Sequence, residues 1–338
     1  MPHPLLRVLL PDRRWNDTDF KFKSFVPDIT SLSASAHTKP IFSPSTRSQE
    51  LLKKNAPLSS KIDPKLGRVI AAVLENSGSL FRAELTLATA EACGLEEAHA
   101  ESLASGLEYF HVASLLFDDL PFMDDSSLRR GAICVHLLYG EGLTTLAALA
   151  FITRAYALIG VAVAAAPASR QAPALALVER CLGTTGMLNG QARDLHFPAG
   201  NCEAREVIAV ALAKTVPLIQ LALLLPALLA GLGPVEQRIL RRLSVCWGLF
   251  YQGVDDLKDL LGSTEVHGKS AHQDQRLGRP NVAHQFGLNR TGDYLRRLAR
   301  IAHRCCVTLA AMNARFACLQ PMQQLLVSRW QQLPGISQ

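Results

Sequence analysis

One stretch constrains this chain more than any other. An apolar run, Val112 to Phe117, passes directly into Asp118-Asp119-Leu120-Pro121-Phe122-Met123-Asp124-Asp125, and Arg129 and Arg130 follow before Gly131. The run reads as the end of a buried helix that Pro121 stops. Any fold must therefore bury that helix and still deliver its acidic end to a place that holds four carboxylates. A helix C-terminus already carries partial negative charge, so acids are disfavoured there unless cations neutralise them. Oxygen-only ligands of this kind suit Mg²⁺ better than zinc. The two arginines add forked donors that fit phosphate oxygens.

A second acidic set stands in Tyr251-Gln252-Gly253-Val254-Asp255-Asp256-Leu257-Lys258-Asp259. Asp255 and Asp259 are four apart and share a helix face, with Gln252 three residues earlier on the same side. An acidic cluster by itself is usually solvated surface. Two such clusters, one with arginines attached, read instead as metal-carboxylate faces opposed across a helical cavity. In these motifs the sequence resembles the trans-isoprenyl diphosphate synthase (polyprenyl synthetase) family, geranylgeranyl or farnesyl diphosphate synthase-like, in motif type, order and separation, from about Asp63 to the C-terminal helices.

Composition agrees with a large helical domain. Hydrophobic residues make up 49% of the 338 and charged residues 19%, ample for a core. Ala and Leu are abundant and aromatics few, which favours helix throughout. The net charge of +6 is scattered; its densest patch, Arg290, Arg296, Arg297, Arg300 and Arg304, repeats at helical spacing and reads as a solvated helix face, not a nucleic-acid surface. Eight cysteines without a C-x-x-C pair lie mostly in apolar stretches and read as buried thiols in a reducing cytoplasm. Leu143 to Pro167 approaches membrane-spanning length but carries Arg154, so it reads as a buried central helix, not a transmembrane segment.

Residues 1–60, polar and irregular, read as a poorly ordered extension, and residues 61–338 as the folded domain. Asp63-Pro64 gives an N-cap and a first-turn proline for a helix to about Glu75. Further helices are expected at about 82–93, 96–117, 136–166, 173–195, 203–212, on to 230, and 234–261, with two or three more closing the chain. The helix over 173–195 ends in Gly190-Gln191-Ala192-Arg193-Asp194 and reads as a cavity wall. No strand-period segment is evident, so the architecture is all-α, a single helical bundle around an apolar cavity.

The resemblance implies an isoprenoid-synthase bundle, three Mg²⁺ ions and a set of roles by position. Asp118, Asp119 and Asp124 look like the first metal set; Asp255, Asp256 and Asp259 like the second. Arg129, Lys214, Thr215, Gln252 and Lys269 look like contacts on the allylic diphosphate side, and Arg82, His111 and Arg130 like contacts to isopentenyl diphosphate. Asp118, Asp119, Asp255, Lys214 and Lys269 are the expected catalytic residues. The activity implied is condensation of an allylic prenyl diphosphate with isopentenyl diphosphate to a trans-prenyl diphosphate of about C20, by a cytoplasmic homodimer. Departures matter as well: Ser77-Gly78-Ser79-Leu80-Phe81-Arg82-Ala83 stands where the family has Gly-Gly-Lys-Arg-hydrophobic-Arg-Pro, so two cations are missing on the acceptor side. Two alternatives stay open, a terpene synthase-like enzyme that ionises without condensing, and a non-catalytic subunit of a heteromeric synthase. Ala113 and Ser114, one turn before Asp118, leave the expected tail path unblocked unless Phe117 or Phe122 turns inward.

Overall fold

The computed structural model describes residues 45–198, 203–261 and 276–333. Helix α1, Thr46–Lys54, begins at Ser45, whose side chain accepts the Ser48 N–H. It lies inside the span expected to be irregular. Leu51 and Leu52 are buried, the Tyr109 hydroxyl donates to the Leu52 carbonyl, and Asn55 Nδ2 donates to Ser105 Oγ at 3.0 Å. The folded body therefore includes α1, a short amphipathic helix whose few apolar side chains are invisible as a core face until their partners are known. Residues 1–44 lie outside the described residues.

Helix α2, Pro64–Glu75, starts as expected, with Asp63 accepting from the N–H groups of Lys65 and Leu66. Helix α3, Phe81–Cys93, ends on Gly94 in the left-handed region. Helix α4, Glu97–Asp118, is the buried helix that carries the first acids. A two-residue hairpin follows, β1 Leu128–Arg129 against β2 Ala132–Ile133, turning through Arg130 and Gly131, both at positive φ. Strands this short show no period in sequence, and the fold remains all-α.

Two expected helices are interrupted. The first is α5, Val135–Tyr139, and α6, Glu141–Ala164, separated at Gly140 with φ of 83°. The second is α7, Ala168–Leu182, and α8, Met187–Leu195, separated by the turn at Gly183 to Gly186. Glycine loses most on entering a helix, so these are the places where an apolar pattern can break without losing side-chain packing.

Helix α9, Ala204–Lys214, opens on a reciprocal Glu203/Glu206 capping box and leads into α10, Val216–Ala230, across a 48° bend at Thr215. The bend precedes Pro217, in the first turn of α10, and Pro226 is carried inside the helix. Next come α11, Pro234–Leu261; α12, Val282–Phe286; α13, Leu288–Met312; a 3₁₀ turn, Ala314–Cys318; and α14, Leu319–Gln331.

The central helix is α10, buried on nearly every face, and not α6. On α6, Ala147, Phe151, Ala155 and Ile159 pack on α4, where Gly106 allows an approach so close that a Cβ would lie 3.1 Å from the Ala155 carbonyl oxygen. Arg154 is satisfied by the Asn55 carbonyl at 2.8 Å. The other face of α6, with Leu146, Leu149, Tyr156 and Val161, is exposed. The helix is long and apolar enough to cross a membrane, yet one face belongs to the bundle core.

Candidate active site

Helix α4 delivers Asp118 and Asp119 at its C-terminal end, as the sequence requires. Their surroundings differ. Asp118 Oδ1 accepts from Gln191 Nε2 of α8 at 2.9 Å. Asp119 is 4% exposed, and its Oδ1 accepts from both Nε and Nη2 of Arg129, with the Nε bond at 2.8 Å. The hairpin sets this pair by turning the chain back toward the helix end. Burial works against the charge of Arg129, but Asp119, with a contribution from Asp118, holds it firmly charged.

The third acid of the first motif, Asp124, meets a residue that the sequence does not single out. Arg279 Nη2 donates to Asp124 Oδ1 and to the Met123 carbonyl, both at 3.0 Å, and its Nη1 donates to the Asp194 carbonyl at 3.2 Å. It stands 155 residues from Asp124. Its sequence signal is weak, a cation between Gly278 and Pro280 beyond the helix expected to end at about 261. Asp194 belongs to the Gln/Asp pair read as cavity wall, and Gly190, one turn earlier, explains why that wall is close. A Cβ there would come within 2.4 Å of the Ala213 carbonyl carbon and the Lys214 nitrogen.

Lys214 ends α9 and donates to Asp194 Oδ2 at 2.7 Å. Burial opposes its charge, yet Asp194, Asp118 and Asp124 together raise its pKa above that of an ordinary lysine. Three carboxylates thus converge electrostatically on one cationic position. The next residue begins a chain of bonds to the second motif: Thr215 Oγ1 donates to Gln252 Oε1 at 2.6 Å, and Gln252 Nε2 donates to Asp256 Oδ1 at 2.7 Å. Asp256 Oδ2 accepts the Val282 N–H at 2.7 Å, and the Asp256 carbonyl accepts from Asn281 at 3.2 Å.

This geometry separates five of the six acids that the sequence treats alike. Asp119 and Asp256, each second in its motif, are buried and engaged: one pins the hairpin, the other ties α11 to α10 and α12. Asp118 and Asp124 lie nearer the convergent charge at Lys214, while Asp255 is half-exposed with Lys258 Nζ at 3.5 Å. Among the described residues no three His, Cys, Asp or Glu side chains close into a ready metal site. The donor chemistry nevertheless fits Mg²⁺, since it is carboxylate oxygen throughout, gathered where cationic charge is already required. Lys269 lies outside the described residues.

The expected acceptor side is built differently. Glu108 of α4 is fully buried and accepts the Ala83 N–H at 2.9 Å, at the N-terminus of α3. Burial raises its pKa above the usual glutamate range, against the opposing pull of Arg82, the α3 N–H groups and Arg130. Arg82 lies over the Tyr251 ring at 5.8 Å. Arg130 donates to the Asn76 carbonyl at 2.8 Å and packs on Gly78, where a Cβ would displace its guanidinium. His111 is half-buried, one turn beyond Glu108 on α4. Phe122 is 66% exposed, so its ring does not obstruct the bundle interior.

Residues 63–307 match the polyprenyl synthetase family. Geranylgeranyl pyrophosphate synthase 3, chloroplastic, of Arabidopsis thaliana is 34% identical over 229 residues, covering 67% of this chain and 64% of that protein. A heterodimeric geranylgeranyl pyrophosphate synthase large subunit 2 of the same plant is 34% identical over 231 residues, 67% of this chain and 60% of that one. The match thus spans just under two thirds of these relatives' length. A geranyltransferase from Helicobacter pylori, crystallised with magnesium and isoprenyl diphosphate, shares the fold with a TM-score of 0.71 at 24% identity, over 84% of this chain and 93% of that one. The chain belongs to the polyprenyl synthetase family.

Proposed function

We propose that this protein is a Mg²⁺-dependent trans-prenyltransferase, which joins an allylic prenyl diphosphate to isopentenyl diphosphate and gives a product of about C20. The observation that carries the reading is the convergence of Asp118, Asp124 and Asp194 on Lys214, bridged to the second acid motif through Thr215, Gln252 and Asp256. Such an arrangement binds a polyanion only with divalent cations between acid and phosphate. Asp118, Asp124, Asp255 and Asp259 would hold Mg²⁺, with three ions the family expectation. When bound, the metal supplies electrostatic stabilisation of the departing diphosphate. Lys214 adds a fixed positive charge beside that leaving group, and Gln252, oriented by Asp256 and Thr215, presents a side chain whose rotamer is already fixed.

The exposed apolar face of α6 supports a homodimer, because such a face is covered in a soluble assembly by a second copy more readily than by water. Chain length follows from α4. Ala113 is buried one turn before the acids, with no ring at that position, and Phe122 points away.

The test is incubation of purified protein with Mg²⁺ and dimethylallyl, geranyl or farnesyl diphosphate, with and without isopentenyl diphosphate. Elongation that depends on isopentenyl diphosphate is expected. Alcohol or cyclic products formed equally without it would move the assignment to the ionising alternative. Ala113→Phe is expected to shorten the product by at least one isoprene unit, as read by chromatography of the dephosphorylated chains. An unchanged distribution would place the cavity floor elsewhere.

A further inference from the structure

Helix α13 carries the chain's densest basic patch, and the fold sets it beside arginines of a second helix. Helix α13 packs on α11, α12, the 3₁₀ turn and α14. Its one acid, Asp293, already accepts from Arg296 at 2.8 Å. Further along, Arg300 and Arg304 are exposed and make no ion pair or side-chain hydrogen bond among the described residues. Val307 follows within one turn and is 46% exposed. The spacing of these three puts them on one helix face.

The first turns of α11 repeat the pattern. Val235, Arg238 and Arg242, at i, i+3 and i+7, share a face. Both arginines are exposed without an acid partner among the described residues, and Val235 is 51% exposed. The two helices run antiparallel, since Gly253 of α11 sits against Leu295 of α13 while Arg242 lies near Cys305. Burial pushes the Cys305 thiol up, and the guanidinium groups of Arg242 and Arg304 both pull it back. The two basic faces therefore meet at Arg242 and Arg304, and both valines lie beyond that meeting point toward the same end of the helix pair. Four arginines thus frame two exposed valines.

We propose that this face of α11 and α13 docks the protein on an anionic lipid bilayer, with the arginines on lipid phosphate groups and the valines in the interfacial zone. A bilayer uses both halves of the patch, because its surface charge attracts basic residues and its interface accepts short apolar side chains. Arginine forks meet phosphate oxygens two at a time. Nucleic acid is the weaker fit, since no aromatic side chain stands among these arginines to stack on a base. Docking does not require the reaction proposed above, but it suits that reaction. A prenyl diphosphate of about C20 leaves the protein as an amphiphile whose tail partitions into a bilayer.

The experiment is cosedimentation of the purified full chain, without substrate, with vesicles of phosphatidylcholine alone or of equal parts phosphatidylcholine and phosphatidylglycerol. Binding to the anionic vesicles only is expected. It should fall away between about 0.1 M and about 1 M salt, as the Debye length shrinks from about 10 Å to about 3 Å. At roughly fivefold per basic residue, Arg300→Gln with Arg304→Gln should weaken binding by roughly 25-fold, and so should Arg238→Gln with Arg242→Gln. The melting temperature should be unchanged in both pairs, because the replaced groups are exposed. Val307→Ser should weaken binding less, by a factor that salt does not alter. No binding, or equal binding to both vesicle types, would overturn the proposal. Arginine variants that bind as wild type would overturn it too, by placing the contact on another face such as that of α6. Binding of a short DNA duplex that is lost in the same variants, with the anionic vesicles ignored, would overturn it in favour of nucleic acid.

Discussion

Asp118 and Asp119 are neighbours in sequence, and Asp255 and Asp256 are neighbours in the second motif, yet within each pair the burial and bonding differ. In Asp256 one oxygen accepts from Gln252 and the other from the Val282 N–H. Asp256→Asn keeps the shape but turns one acceptor into a donor facing a donor. It is expected to lower stability by about 1–3 kcal/mol in urea unfolding. Asp118→Ala, by contrast, should leave the urea midpoint unchanged or raised and reduce turnover by roughly 10³-fold, the size of one lost charge-stabilising contact. If Asp118→Ala retains near-normal turnover with Mg²⁺ present, the metal reading fails. Glu108 gives a pH signature. Its folded pKa is raised, so the folded state holds this proton more tightly than the unfolded chain does. Stability from that proton is present below the ordinary glutamate range and is lost as pH rises through the raised value. Glu108→Gln still accepts from Ala83 but cannot titrate. It should flatten the fall in stability as pH rises above the ordinary glutamate range, even while leaving Arg82 less well balanced. A slope equal to wild type would assign the titration to another group. At this scale the sequence revealed residue types and spacings but not partners. Asp119 and Asp118 look equivalent until Arg129 is placed, and Arg279 is invisible because nothing local links it to Asp124.

The helices show which boundaries local chemistry determines. Asp63-Pro64 and Gly94 act within one turn of themselves, and both ends fall where the sequence puts them. The breaks at Gly140 and at Gly183 to Gly186 interrupt runs whose apolar pattern continues on both sides, so only the packing of neighbouring helices selects them. The same holds for α6 and α10, two apolar helices that the sequence does not rank, of which α10 takes the centre. Contact between α8 and α9 is equally non-local, since Gly190 is needed by the backbone at Ala213 and Lys214. Gly190→Ala should force these helices apart, with an overpacking loss of about 1–3 kcal/mol. It should also loosen the Asp194–Lys214 bond, so the KM for the allylic diphosphate is expected to rise by about 10-fold or more, the scale of one weakened charged contact. A variant with normal melting and normal KM would show that the helices separate freely.

For the molecule as a whole, the proposed dimer makes the outer face of α6 its most informative surface. Leu149→Glu with Val161→Glu removes four apolar side chains from that contact, two from each subunit, worth about 1.5–3 kcal/mol each when buried. Dissociation should strengthen by roughly 10⁴-fold or more, read by sedimentation over a concentration series. An unchanged association state would place the interface elsewhere. The hairpin carries a different kind of consequence. Arg129 turns to Asp119 while Arg130, the next residue, turns to the Asn76 carbonyl at the end of α2, so two adjacent letters serve two distant anchors. Deleting Ser127 would advance Arg130 into the place of Arg129 and leave Asn76 without its donor, because Arg129 ends the strand and Arg130 occupies the turn. The string Arg-Arg-Gly would survive such an event untouched. A deletion here is therefore disruptive, and a lineage can keep the motif's spelling while losing the strap that joins the first acids to α2.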